Sequence, residues 1–210
     1  MQLPLTLANL ITIGRIMMIP LFVMAVMQVR EGETFFRAAA FGIFVVMVIG
    51  DGADGFVARR FHRRTVLGAF LDPLGDKLMM FSAYVFLAAM AWPEPRMPRW
   101  VSTVVISRDL LIAIGFLTLF VVTGQFRMIS PSGVGKLCTV VQALTILLVL
   151  TAPWVMEGLG ERTERGILTG LCLLTVFLTL FSGVDYLYAA RRLLEKEHVA
   201  LAVEDRPSEE

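Results

Sequence analysis

The chain has 210 residues, 57% of them hydrophobic and 18% charged, with a formal net charge of +1 and a mean hydropathy of +0.74. A composition this apolar exceeds what a soluble domain carries and reads as one polytopic, all-α membrane domain. No nucleic-acid motif or internal repeat is present, and Cys138 and Cys172 fall in apolar runs, as small buried hydrophobes rather than a disulfide pair or metal ligands.

In chain order, no charge precedes Arg15 and there is no small-residue cleavage pattern, which argues against a cleaved signal peptide. Residues 3–13 predict a short interfacial helix leading into a first span at about 16–29, with Asn9, Thr12 and Arg15 on one helical face. A polar turn over 30–34 precedes a second span at 35–58, and the third runs over about 66–92. Three prolines make residues 93–99 a connector, with Trp92 and Trp100 beside it at the positions of an interfacial belt.

The fourth span, 100–124, contains Ile106-Ser107-Arg108-Asp109, whose adjacent charges must face protein or a polar cavity. Residues 125–136 form a polar loop, and Lys136, Thr139 and Gln142 make a polar stripe entering a fifth span that ends near Trp154. A charged loop over 157–165 leads to a sixth span at about 166–188. The predicted architecture is six transmembrane helices over residues 1–190, followed by a charged cytoplasmic tail, 191–210, whose last dozen residues are expected to be disordered.

Asp51, Asp54, Asp72 and Asp76 stand out because carboxylates next to apolar runs are costly, roughly 2.5–3.5 kcal/mol each at a helix centre. Asp51, Asp54 and Ala58 share one helical face, as do Gly68, Asp72 and Asp76. The basic stretch from Arg59 to Arg64 lies between the two sets. A helical hairpin therefore brings all four acids to one depth.

Unpaired, they would repel one another. An all-oxygen donor set without His or Cys predicts a hard divalent cation, Mg²⁺ or Mn²⁺, and four carboxylates suffice for two ions. Gly55, Ala58 and Gly68 lack bulk on the same faces, leaving room for a flat or phosphorylated group. Lys77, next to Asp76, reads as a local counter-ion. The other use of such acids is an ion path in a transporter, but that gives no reason for small residues and an arginine at fixed offsets.

The segments on the side of the motif hairpin hold the larger share of Lys and Arg, so the positive-inside rule puts that side in the cytoplasm, at the cell (inner) membrane. Arg108 and Lys136, on the same side of two further helices, can bind a phosphate group as a guanidinium fork and a point charge.

Asp51-x-x-Asp54-Gly55-x-x-Ala58-Arg59, eight residues, Gly68-x-x-x-Asp72-x-x-x-Asp76 resembles, without departure, the signature of the CDP-alcohol phosphotransferase family. The resemblance implies a membrane-embedded, usually homodimeric enzyme that takes CDP-diacylglycerol, releases CMP and joins the phosphatidyl group to an acceptor alcohol. It implies that Asp51, Asp54, Asp72 and Asp76 hold the metal ions, with Asp76 also the base for the acceptor hydroxyl. Gly55, Ala58, Arg59 and Gly68 would face the CDP moiety, with Asn9 and Thr12 nearby in a segment similar to the family's Pro-Asn-x-x-Thr-x-x-Arg, Ala8 standing in place of the proline.

As a whole the chain resembles members whose acceptor is glycerol 3-phosphate, the phosphatidylglycerolphosphate synthases. Those typically carry a second arginine eight residues after the first, where this chain has Phe116. The wording at 106–109 is closer to the cardiolipin synthases of the same family, whose acceptor is phosphatidylglycerol.

Overall fold

A computed structural model describes residues 7–30, 34–61, 66–89, 97–123 and 133–204, with side chains described from Thr12 onward except over 51–74, at 116, over 119–132, at 190 and beyond 192. The described residues form α1 (Leu7–Gln28), α2 (Phe35–Phe61), α3 (Val66–Ala89), α4 (Arg99–Thr123), α5 (Gly133–Val155) and α6 (Glu161–Glu204). The all-helical expectation holds for these residues.

Local chemistry sets several of the helix ends. Thr34 stands at the N-terminal cap of α2, its carbonyl accepting from the Ala38 amide at 2.8 Å. Gly158, at φ 86°, turns the chain between α5 and α6. The Gly160 carbonyl then accepts from the Thr163 and Glu164 amides, and Glu161 and Glu164 place negative charge in the first turn of α6, where the helix dipole favours it.

Two boundaries differ from the sequence reading. No separate interfacial helix precedes the first span among the described residues, because α1 runs unbroken from Leu7 through Gly14 to Gln28. A lone glycine costs a helix only about 1 kcal/mol, too little to split an otherwise apolar run. At the other end, α6 continues through the charged tail to Glu204, since residues 191–204 are rich in Ala, Leu, Glu, Lys and Arg, all strong helix formers.

α1 packs against α2 and α3, while α6 packs against α4 and α5; α2 with α5 and α3 with α4 join the two groups. Phe22, Phe44, Met47, Tyr84, Leu87, Val101, Ile146 and Leu150 fill the core between them. Several polar side chains buried there bond across helices. The Tyr84 hydroxyl donates to the Gln142 carbonyl at 3.2 Å, and Ser102 donates to the Tyr84 carbonyl at 2.9 Å. Between α5 and α6, Gln142 Nε2 donates to Thr179 Oγ1 at 3.2 Å, and the Thr145 and Thr175 hydroxyls meet at 2.7 Å. Cys138 and Cys172 are buried and unbridged, as the sequence indicated.

The outer faces are apolar. Met17, Leu21 and Met24 on α1, Leu110, Ile114 and Leu117 on α4, and Leu173, Phe177, Leu180 and Val184 on α6 recur at helical spacing and are exposed. Contiguous apolar stripes of this kind need lipid rather than water around them. Gly133–Val155 and Glu161–Ala189 are long and apolar enough to cross a bilayer, and Thr12–Gln28 and Phe35–Gly50 are shorter apolar stretches.

α4 and α6 run parallel and touch closely. A Cβ on Gly115 would lie 3.0 Å from Tyr186 Cε1 and 3.2 Å from its hydroxyl, which donates to the Ile112 carbonyl at 3.1 Å. Gly115→Ala is therefore expected to displace a rigid ring and break that bond, at a cost of about 1–3 kcal/mol. A lowered thermal unfolding midpoint in detergent, smaller when Tyr186→Leu is combined with it, checks this.

Candidate functional site

α2 and α3 carry the acidic motif on helical backbone, Asp51 and Asp54 in the later part of α2, and Gly68, Asp72 and Asp76 at successive turns of α3. The side chains of Asn9, Asp51, Asp54, Ala58, Arg59 and Asp72, the surroundings of Gly55 and Gly68, and the linking residues 62–65 lie outside the described part of the structure. Asp76, Thr12, Arg108 and Lys136 lie within it.

Contacts between helices fix their relative depth. The Phe22 and Phe44 rings lie 5.8 Å apart between centroids, across antiparallel α1 and α2. Seven residues back from Phe22 is Arg15, and seven onward from Phe44 is Asp51, each about 10 Å away along its axis. Those two backbone positions therefore share a level. Gly75 shares it too, since a Cβ there would meet Arg15 Nη2 at 3.4 Å and Ile16 Cγ1 at 3.3 Å. Asp76 follows Gly75.

By the same rise, Thr12, Asp54 and Asp72 lie one turn farther along their helices, and Asn9, Ala58 and Gly68 a further turn or so beyond. The absence of a side chain at Gly75 is what lets α1 approach α3 here. Thr12 and Arg15 are buried, so this part of the polar face turns into the protein, with Arg15 beside α3.

A charged cluster continues this level across α3, α4 and α6. Lys77 Nζ donates to Asp109 Oδ1 at 3.0 Å, and Arg108 Nη1 donates to the same oxygen at 2.7 Å. Arg108 Nη2 donates to the Ser182 hydroxyl on α6. Arg108 Nε is buried without a hydrogen-bond partner among the described residues. Asp109 thus accepts from both cations at one oxygen, so these three described side chains together carry one more positive than negative charge.

Lys136, in the first turn of α5, is exposed. Cys138 meets Thr179 at 3.5 Å, which sets Lys136 at about the depth of Ser182, one turn past Thr179, and so of Arg108. The described contacts bring Arg108 to the same Asp109 oxygen as Lys77, the neighbour of Asp76, and place Lys136 level with both.

Sequence reading named Arg108 and Lys136 but gave Asp109 and Ser182 no function, and it left the partner of Lys77 open. The available signal was that Lys77, Arg108 and Asp109 are charges in apolar spans and must be paired within the protein.

Residues 5–190 match the profile of the CDP-alcohol phosphatidyltransferase family. A probable phosphatidylglycerophosphate synthase of Mycobacterium tuberculosis is 32% identical over 189 residues, spanning 89% of this chain and 82% of that protein. CDP-diacylglycerol–glycerol-3-phosphate 3-phosphatidyltransferases of Sodalis glossinidius and Escherichia coli are each 31% identical, over 186 and 188 residues, covering 86% and 87% of this chain and 92% and 93% of theirs. The profile covers nearly the whole helical body, acidic hairpin and cationic cluster included, and the chain belongs to the CDP-alcohol phosphatidyltransferase family.

Proposed function

We propose that this protein transfers the phosphatidyl group of CDP-diacylglycerol to glycerol 3-phosphate, releasing CMP, in phospholipid biosynthesis. The observation that carries this reading is the common level of Asp51, Asp76 and the Lys77–Asp109–Arg108 cluster, which sets an acidic site beside a cationic one. The names of the relatives support the choice of acceptor.

The carboxylates of Asp51, Asp54, Asp72 and Asp76 suit a hard divalent cation, since their backbones pair off at two adjacent levels on neighbouring helices and the set is oxygen only. We assign these residues two Mg²⁺ or Mn²⁺ ions, which would supply charge neutralisation on the pyrophosphate and the leaving CMP. Asn9, Thr12, Gly55, Ala58, Arg59 and Gly68 receive the CDP moiety at the levels beyond, where small residues leave room. Arg108 and Lys136 bind the acceptor's phosphate. The acceptor hydroxyl forms a bond to the β-phosphorus, the bond from that phosphorus to the bridging oxygen breaks, and CMP leaves with the electron pair. The hydroxyl proton passes to the Asp76 carboxylate.

The wider arrangement follows from the same reading: six membrane spans over residues 1–190, the acidic side toward the cytoplasm at the inner membrane, lipid around the apolar faces, and a homodimer as the assembly. Ile106 to Asp109 and Phe116 favour a second reading, the same chemistry with phosphatidylglycerol as acceptor.

Purified protein in detergent, with CDP-diacylglycerol and Mg²⁺, is expected to release CMP when glycerol 3-phosphate is added. Release with phosphatidylglycerol alone would move the assignment to cardiolipin synthesis. No release with either, together with ion uptake into sealed vesicles, would favour a transporter.

A further inference from the structure

The function proposed above leaves Lys77 without a part in the chemistry, yet its position is distinctive. It follows Asp76 on α3 and reaches across to α4, where it shares Asp109 Oδ1 with Arg108. An isolated Lys–Asp pair would be neutral and complete. Here one carboxylate serves two cations, so among the described residues the three side chains keep a surplus positive charge and several donors with no described acceptor. Lys77 spends one of three N–H groups on Asp109, and its side chain is 40% exposed. Arg108 is nearly enclosed at 11% exposure, with its Nε unsatisfied among the described residues.

Such an arrangement is costly to leave empty, because a buried guanidinium donor without a partner forfeits its hydration. A phosphate monoester would repair it. Its oxygens can accept from Lys77 Nζ and from the remaining donors of Arg108 at once, since both cationic heads rest against a single oxygen and so stand as close as two arms of one clamp.

The geometry points to Lys77 as a second cation of the acceptor site, reading the dianionic phosphate of glycerol 3-phosphate together with Arg108, with Asp109 holding both in place until the acceptor arrives. This inference rests on the acceptor reading above. Its position next to Asp76 gives the idea a length scale. Consecutive helical residues diverge by about 100° around the axis, which sets the Lys77 ammonium and the Asp76 carboxylate apart by several ångströms, the span between phosphate and terminal hydroxyl in a three-carbon acceptor. One acceptor can then be held by its phosphate at Lys77 while its hydroxyl faces Asp76. Phosphatidylglycerol carries only a singly charged phosphodiester and has less to gain from the second cation.

The test is steady-state CMP release by the full-length protein and its Lys77→Met and Lys77→Arg variants, with KM measured separately for glycerol 3-phosphate and CDP-diacylglycerol. Calorimetric titration with glycerol 3-phosphate in the presence of CMP gives a readout independent of turnover. Lys77→Met is expected to raise KM for glycerol 3-phosphate by about 10- to 100-fold, the usual range for a lost hydrogen bond to a charged group. KM for CDP-diacylglycerol stays within about twofold, binding weakens by a factor similar to the KM change, and Lys77→Arg recovers most of the loss.

A Lys77→Met variant in which both KM values move together, or in which only thermal stability falls, would overturn the assignment and leave Lys77 as a strut between α3 and α4. If the unsubstituted protein turns over with phosphatidylglycerol but not with glycerol 3-phosphate, the acceptor reading itself fails and this inference with it. The two failures are thereby told apart by the unsubstituted control.

Discussion

Asp76→Asn is expected to lower kcat for CMP release by about 10²- to 10⁴-fold, the range that a positioned general base contributes. The amide is close to isosteric with the carboxylate. Gly75 still leaves room for Arg15 and Ile16, and Lys77 keeps its bond to Asp109, so the packing of α3 against α1 and α4 is preserved. What disappears is a negative charge and a proton acceptor at the level shared with Asp51. The measurement is kcat at saturating donor and acceptor, alongside the size-exclusion profile of the variant. A monodisperse variant with turnover within tenfold of the unsubstituted protein would remove Asp76 from the role of base.

Arg108→Ala is expected to have the second-largest effect, and a composite one. Removing the guanidinium strands the Ser182 hydroxyl and leaves Asp109 with Lys77 as its remaining described cation. Truncating one member of an enclosed, hydrogen-bonded charge pair costs about 2–5 kcal/mol, most of it from the partner left behind. The acceptor phosphate also loses its fork. We expect KM for glycerol 3-phosphate to rise by about two orders of magnitude, on the scale of charge-assisted bidentate bonds, with a lower unfolding midpoint. Arg108→Lys separates the two effects, because a single ammonium keeps the charge but lacks the planar fork that grips a phosphate with two parallel donors. It should recover part of the stability and little of the acceptor affinity.

Much of this was legible from residues alone, for identifiable reasons. A hydrophobic run interrupted by prolines or charges marks a helix wherever it occurs, so α2, α4 and α5 lie within a few residues of their expected limits. The acidic motif was legible because its spacing follows the helical repeat and its placement in apolar surroundings demands a use. The pairing of Lys77 with Asp109 was not, since the two are 32 residues apart and their meeting depends on how α3 and α4 are set against each other. Gly75 was equally silent. A glycine in a membrane helix has many uses, and only the position of Arg15 and Ile16 shows that this one makes room for α1. That α6 runs on to Glu204 was not read from the residues, because charge was taken as a sign of disorder, whereas Glu, Lys and Arg are as compatible with a helix as Leu; residues 205–210 of that tail lie outside the described part.

α6 is continuous over 44 residues, roughly twice what a bilayer requires, and Arg191 and Arg192 near its midpoint of polarity are exposed. A segment as short as 190–204, taken alone in water, would be a poor helix, because the first turn must be ordered before any bond rewards it. Joined to α6 it never faces that step. The apolar part is already wound, and each residue beyond Ala189 adds to an existing end. The outer part is therefore expected to behave as a propagating end rather than an independent element, unwinding on warming from its outer end inward, turn by turn, before the segment holding Thr175, Thr179 and Ser182.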